Sequence, residues 1–131
     1  MPADLLQGAQ SVIFPGLECY GPFYRLTSVE PVNRYAFIAA AQHSAADGRL
    51  SRAVLASFTQ AVMEDTCRAT VESPSIVSLA CEFVGDAQIG DCIEAQIRMV
   101  RRTRSVIFLS ADITTGGRVL LTANGLAKPA T

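Results

Sequence analysis

The chain has 131 residues, of which half are hydrophobic and 18% are charged, and its formal net charge is −1. This composition is typical of one globular domain, and the small net charge argues against binding to nucleic acid. No apolar run reaches the roughly 18 to 20 residues of a membrane span, and the first basic residue is Arg25, so we expect neither a membrane anchor nor a signal peptide.

The cysteines are expected to be reduced thiols. They are Cys19, Cys67, Cys81 and Cys92. Metal and redox sites favour closely spaced pairs such as C-x-x-C, and a disulfide framework accompanies export, so we predict a cytoplasmic protein without a metal site. A nucleophilic thiol would need a base, and His43 is the only histidine in the sequence.

The first twenty residues are predicted to be a lead-in segment, and 21–131 a single domain. A short helix is predicted over 3–10, after which Pro and Gly residues break regular structure. The apolar residues around Phe14 are too hydrophobic for a solvated tail, so we expect them to pack against the domain.

Two strands are predicted over 23–29 and 33–42, because both stretches are rich in aromatic and branched residues. The second strand leads into a loop of small and polar residues, in which Gly48 is free to adopt a positive φ. His43 lies at the start of this loop, which we expect to form part of a site.

One long helix is predicted over 47–67, and Asp47 or Ser51 can cap its first turn. Its apolar residues recur at helical spacing. They are Leu50, Val54, Leu55, Phe58, Ala61, Val62 and Met63. This stripe must be buried against another element.

Four stretches after the helix alternate between apolar and polar residues, as strands with one buried face do. They cover 75–84, 92–101, 105–114 and 118–126. In the first, Val77 and Leu79 are predicted to share the buried face with Cys81 and Phe83. The glycine pair at 116–117 predicts a tight hairpin between the last two strands.

These elements predict the hotdog fold of the α+β class, in which a long curved antiparallel sheet wraps around a central helix. A ferredoxin-like sandwich would need a second helix of similar length, and none is visible. A single curled sheet has unpaired edges, which favours pairing across a homodimer, with a dimer of two such dimers as the larger assembly.

The order of these motifs resembles that of hotdog-fold thioesterases of the phenylacetate-pathway type, which cleave acyl-coenzyme A (acyl-CoA) thioesters. The resemblance covers about residues 21–127. The residues that carry it include Gly21-Pro-Phe-Tyr, His43 followed by Gly48, Leu55-Ala-Ser-Phe58 and Arg101-Arg-Thr-Arg-Ser105. It implies an acyl-CoA ligand and no separate cofactor, since CoA is part of the substrate.

The sequence departs from this family at the catalytic positions. Where the family has His-Gly-Gly at the helix start and an Asp two turns later, this chain has Ser51, Arg52 and Ala53, and then Gln60. The resemblance implies that a helix N-terminal amide polarises the thioester carbonyl, a role that survives any side-chain change. Gln60 is neutral, so it can orient a water molecule but cannot take its proton. Arg52 places a cation at the positive end of the helix dipole, so we expect an anion nearby.

Glu64 is the candidate replacement for the missing carboxylate. It follows Gln60 by four residues, which puts it on the same helical face about 6 Å further along. Glu64 would be the base if this face lines the pocket, and Asp65 is the next candidate. The alternative is an exposed carboxylate near a helix end.

The remaining candidate contacts with the substrate are His43, Gly48, Ser78, Arg101, Arg102 and Arg104. The three arginines can bind the phosphates of CoA through their guanidinium groups, or they form a solvated turn. The histidine can form a polar wall of the pocket, or it can hydrogen-bond to the backbone. The serine can face the acyl group, or it can face solvent.

Two functions therefore follow from the sequence. The first is an acyl-CoA thioesterase whose carboxylate has moved to Glu64 or Asp65. The second is a non-catalytic hotdog protein that binds an acyl-CoA or a related acyl ligand. Gln60 favours the binding protein, whereas the breadth of the resemblance favours the enzyme.

Overall fold

A seven-stranded antiparallel sheet curves around one long helix, which confirms the predicted hotdog architecture. The computed structural model describes residue 6 and the ranges 8–26 and 32–129. The strands are β1 (Gln10–Val12), β2 (Phe23–Arg25), β3 (Val32–Ile38), β4 (Ser75–Phe83), β5 (Cys92–Arg102), β6 (Ile107–Thr115) and β7 (Arg118–Lys128). The helix is α1 (Arg52–Arg68). Short 3-10 turns cover Glu18–Tyr20 and Ala41–His43.

The strand order across the sheet is β1-β2-β3-β5-β6-β7-β4. The last three strands of the sequence form a meander, since each pairs with the next, and the last two form the predicted hairpin. β4 follows the helix but pairs with β7 rather than β5, so α1 carries the chain across the sheet. β1 and β4 are consequently the two edges of the sheet within the described residues.

The apolar stripe of α1 packs against the inner face of the sheet. The ring of Phe58 lies 5.7 Å from Phe23 and 4.7 Å from Phe37, measured between centroids. Gly125 in β7 permits a close approach of the helix, because a Cβ there would lie 2.6 Å from the Sδ of Met63. Each large side chain buried in this way contributes about 1.5–3 kcal/mol.

The helix begins five residues later than the start of the predicted range. Gly48 in the preceding loop has a φ of +85°, a left-handed conformation in which a helix does not continue. The carboxylate of Asp47 accepts a hydrogen bond from the backbone N–H two residues further on. Of the two predicted caps, Ser51 is therefore the one used, and its Oγ accepts from the N–H of Val54 at 3.3 Å.

The predicted orientation of Val77 is wrong. The pairing of β4 with β7 shifts between Ile76 and Ser78, so Val77 is 53% exposed and Ile76 packs against the core instead. The inward face is as predicted from Leu79 onward. A bulge adds one residue to the strand, which reverses the alternation on one side of it.

The lead-in segment packs against the rest of the chain. β1 pairs with β2, and Phe14 is 1% exposed with its ring 4.9 Å from that of Phe23. Half of the helix predicted over 3–10 lies outside the described residues, and Gln10 belongs to β1. The boundary at residue 20 stays a prediction.

The first two predicted strands are shorter than expected. β2 ends at Arg25, and part of the predicted range lies among residues 27–31, which are outside the described residues. β3 ends at Ile38 because the chain turns into the 3-10 turn that contains His43. Among the helices of the described ranges, none has the length and hydropathy that a membrane crossing requires.

Candidate active site

Gln60 and Glu64 lie one turn apart on the face of α1 that points away from the sheet. The side-chain amide of Gln60 donates to Oε1 of Glu64 at 3.4 Å. A guanidinium nitrogen of Arg68 lies 3.5 Å from Oε2 of the same carboxylate. Both carboxylate oxygens therefore have a partner within the helix.

This face of α1 borders a cavity of about 190 Å³. The opposite wall of the cavity comes from the lead-in segment. The lining residues are Pro15, Gly16, Leu17, Ser57, Gln60, Ala61 and Glu64. An amide and a carboxylate thus face the same partly open cavity, where they could orient and deprotonate a water molecule.

The N-terminus of α1 offers free backbone donors. Ser51 caps the N–H of Val54, whereas the N–H groups of Arg52 and Ala53 have no acceptor among the described residues. Such unpaired amides at the positive end of a helix can stabilise an oxyanion. The anion expected beside Arg52 is Asp86, whose Oδ1 lies 3.8 Å from the guanidinium.

Within one chain, the free N–H groups at the start of α1 lie far from the side chains of Gln60 and Glu64. Glu64 follows Arg52 by twelve residues, which is about 18 Å along the helix axis. Gln60 is about 12 Å from the same helix start. A thioester carbonyl held at the N-terminus of α1 therefore lies beyond the reach of the Glu64 carboxylate of the same chain.

His43 is buried, and its two ring nitrogens contact the backbone. The N–H of Ala40 donates to Nδ1 at 2.9 Å, so the ring proton resides on Nε2, which donates to the carbonyl oxygen of Tyr20 at 2.6 Å. The ring also packs against Phe37 at 4.8 Å. The nearby Gly48 is exposed in its loop.

Ser78 lies on the other side of the sheet from α1. It is exposed and pairs with Leu126, whose neighbour Gly125 faces the helix. Alternation along the strand therefore directs Ser78 outward, toward a shallow groove beside Phe108. The structure does not bring it near Gln60.

Arg101, Arg102 and Arg104 are exposed around the β5–β6 connection. None of them forms an ion pair with any residue that the structure describes. Lys128 at the end of β7 lies at the same end of the sheet, because Ile107 pairs with both Arg102 and the residue preceding Lys128. This end of the sheet is accordingly basic.

The buried thiol of Cys67 is not a nucleophile at neutral pH. Burial raises its pKa to about 11, and the charge of Glu64 acts in the same direction, while those of Arg102 and Arg68 oppose it. Burial also raises the pKa of Cys81. Among the described residues, no three His, Cys, Asp or Glu side chains are grouped so that they could hold a metal ion.

No sequence pattern indicated the cluster that Arg25, Tyr35 and Asp65 form. The guanidinium of Arg25 and the hydroxyl of Tyr35 each donate to Oδ2 of Asp65 at 2.7 Å. Asp65 is 9% exposed, so this carboxylate links α1 to β2 and β3. The partners lie 30 and 40 residues from Asp65, a separation that no local pattern reveals.

The cluster shifts the titration of its members. Burial raises the pKa of Tyr35 well above its ordinary value, and the hydrogen bond to Asp65 raises it further, while the contact with Thr66 opposes the shift. The hydrogen bond to Asp65 raises the pKa of Arg25. Oδ2 of Asp65 thus accepts hydrogen bonds from two donors, so this oxygen is already occupied and does not serve as a base.

Comparison with known proteins places the chain among thioesterases. Residues 35–127 match the family described as acyl-CoA thioesterase N-terminal domain. No curated protein matches the sequence.

Several solved structures share the fold at low sequence identity. A hypothetical thioesterase from Streptococcus pneumoniae, solved with coenzyme A, has a TM-score of 0.77 at 10% identity, covering 82% of this chain and 88% of its own. The Escherichia coli PaaI protein from the phenylacetic acid degradation operon has a TM-score of 0.77 at 11% identity, with coverage of 83% and 80%. Zebrafish thioesterase superfamily member 2 has a TM-score of 0.79 at 15% identity, with 88% of each chain covered.

We predict that Tyr35→Phe lowers the free energy of unfolding near neutral pH by about 1–2 kcal/mol, since Asp65 loses a hydrogen bond. The difference from wild type should narrow above about pH 10, because unfolded wild type then releases the tyrosine proton while the folded protein retains it. Urea unfolding at a series of alkaline pH values measures this difference. The titration of Cys67 contributes equally to both proteins, so it cancels from the difference in unfolding free energy. A difference that stays constant with pH would contradict the role of Tyr35.

Proposed function

Because the chain belongs to the family of acyl-CoA thioesterase N-terminal domains, we propose that it binds an acyl-CoA thioester and hydrolyses it to a free acid and CoA. The observation that carries this proposal is the cavity beside α1, whose wall includes both Gln60 and the carboxylate of Glu64. The family position of the catalytic Asp is neutral here, and a carboxylate one turn further along borders the same space.

In the proposed reaction, Glu64 accepts a proton from a water molecule that Gln60 orients by a hydrogen bond. The water oxygen attacks the thioester carbonyl carbon, and the carbonyl oxygen becomes an oxyanion. The unpaired N–H groups of Arg52 and Ala53 stabilise that oxyanion. When the carbonyl reforms, the C–S bond breaks, and Glu64 returns its proton to the CoA sulfur. CoA is consumed as part of the substrate, so no further cofactor is needed.

Two copies of the chain complete this site, because Glu64 and the free N–H groups at the start of α1 lie about 18 Å apart within one helix. We propose a homodimer in which the N-terminus of α1 from one copy faces Glu64 of the other. The exposed edge of β4 supports this arrangement, since it offers unpaired backbone groups for a continuous sheet. A dimer of dimers is the larger assembly we propose.

The basic end of the sheet supports a role in holding CoA. Arg101, Arg102 and Arg104 are exposed and have no acidic partner among the described side chains, so their guanidinium groups are available to phosphates. The related Streptococcus pneumoniae protein was solved with coenzyme A. Substrate contacts at His43, Gly48 and Ser78 stay predictions.

The second candidate function is binding without hydrolysis. The observation that favours it is the state of Glu64, whose two carboxylate oxygens are already engaged by Gln60 and Arg68. In that case the protein retains the pocket and lacks a free base. Under either function we propose a single-domain cytoplasmic protein, which its four free cysteines support.

We predict that sedimentation at micromolar concentration shows no appreciable monomer. Val77→Lys should increase the monomer fraction, because a charge on a sheet edge disfavours strand pairing. Ile89→Lys is the matched control, since Ile89 is 55% exposed and Val77 53%, and Ile89 lies outside β4. A stable wild-type monomer would contradict both the dimer and the shared site.

We predict that changing Arg101, Arg102 and Arg104 together to Ala weakens CoA binding about tenfold or more at low salt and much less at high salt. Calorimetric titration at two salt concentrations measures the effect. The triple Lys variant retains the charge and should retain most of the affinity, whereas Arg118→Ala removes a charge at the other end of the sheet and should have little effect. Unchanged affinity in the Ala variant would assign these arginines to a solvated turn.

We predict that the wild type hydrolyses common straight-chain acyl-CoA esters slowly. Glu64→Gln should reduce this rate by about a hundredfold or more. Asp112→Asn, an exposed change on the outer face of the sheet, is the matched control. If wild type binds the ester without turnover, the second function holds, and Gln60→Asp should then introduce hydrolysis. Rapid turnover that survives Glu64→Gln would contradict the assignment of the base.

A further inference from the structure

We infer that residues 14–20, here called the strap, form a fixed wall that limits this protein to short acyl groups, with Leu17 as the residue that sets the limit. This inference rests on the proposed function, because it takes the cavity of Gln60 and Glu64 as the acyl pocket. The strap lies outside the residues that match the family, so the limit belongs to this chain.

The strap supplies one whole side of the cavity. Pro15, Gly16 and Leu17 face the outward surface of α1, where Ser57 and Ala61 form the opposite wall. Pro15, Leu17 and Ala61 give the walls apolar surface, and the polar side chains on them are those already assigned to catalysis and the hydroxyl of Ser57. An acyl chain would therefore find apolar contacts here, with its thioester end toward Glu64.

The strap is held at both ends, so it acts as a wall rather than a lid. Phe14 is buried against Phe23 at one end, and the carbonyl of Tyr20 accepts the hydrogen bond from His43 at the other. Two further backbone bonds stabilise the turn between them, since the N–H of Leu17 donates to Phe14 and the N–H of Tyr20 donates to Leu17, each at 3.0 Å. His43 is in this view a positioning residue for the strap.

The volume of the cavity sets the size of the ligand. A cavity of about 190 Å³ equals the liquid volume of about six water molecules at roughly 30 Å³ each. A butyryl group is of this size, whereas an octanoyl group is longer than the space between the strap and α1. Leu17 packs against the core and lines the cavity, so shortening its side chain enlarges the pocket in the direction of the acyl chain.

The test measures the affinity of non-hydrolysable thioether analogues carrying acetyl, butyryl, octanoyl and dodecanoyl groups, with CoA alone as the reference. Wild type should bind the butyryl analogue most tightly. Leu17→Ala should raise the affinity for octanoyl relative to butyryl by about tenfold or more. Ser57→Leu fills the cavity from the exposed surface of α1, and it should reduce the affinity for the butyryl analogue to that of CoA alone.

The control is Ile13→Ala, which changes a 75% exposed residue that precedes the strap and does not line the cavity. It should keep the wild-type preference, and thermal unfolding should confirm that each variant is folded. If CoA and the analogues bind but neither Leu17→Ala nor Ser57→Leu alters the length preference, the wall is disproved and the proposed function stands. If neither CoA nor any analogue binds to wild type, the proposed function fails and the inference fails with it.

Discussion

The burial of one helix is the constraint on which the rest of this structure depends. α1 commits one side to the sheet, where the side chain of Met63 packs directly onto Gly125 of β7. Its outward face and its N-terminus are what remain for chemistry, and they are separated by most of the length of the helix. The carboxylate on the outward face and the free amides at the N-terminus can act on the same thioester only when they come from two different helices. The homodimer proposed above thus rests on the packing of the core.

Features with a local cause were predictable from the sequence. The helix and the four strands that follow it have regular apolar spacing, and the proximity of Gln60 and Glu64 follows from helical geometry alone. Boundaries were less accessible, since the start of α1 depends on how the loop around Gly48 satisfies its own hydrogen bonds. The bulge beside Val77 was not predictable, because an added residue leaves no mark on the alternation until the partner strand is known.

Long-range contacts account for what the sequence did not reveal at the site. The carboxylate of Asp65 looks like its neighbour Glu64 in the sequence, yet one joins a buried cluster with Arg25 and Tyr35 while the other borders a cavity. The lead-in was expected to pack, but nothing local indicated that it would face the same helical surface as Gln60. Tertiary partners of this kind decide which of several similar side chains is available for a reaction.

The position of β4 also shapes how the chain can fold. β4 is complete at residue 83, but its partner β7 begins at residue 118, so about a quarter of the chain must follow before the pair can form. The β5–β6–β7 hairpins close over short loops and have the lower entropic cost, which favours them as the first structure to form. On the ribosome, α1 and β4 would emerge with their apolar faces exposed. These faces would be prone to aggregation until β7, the last strand of the chain, has been synthesised and has paired with β4.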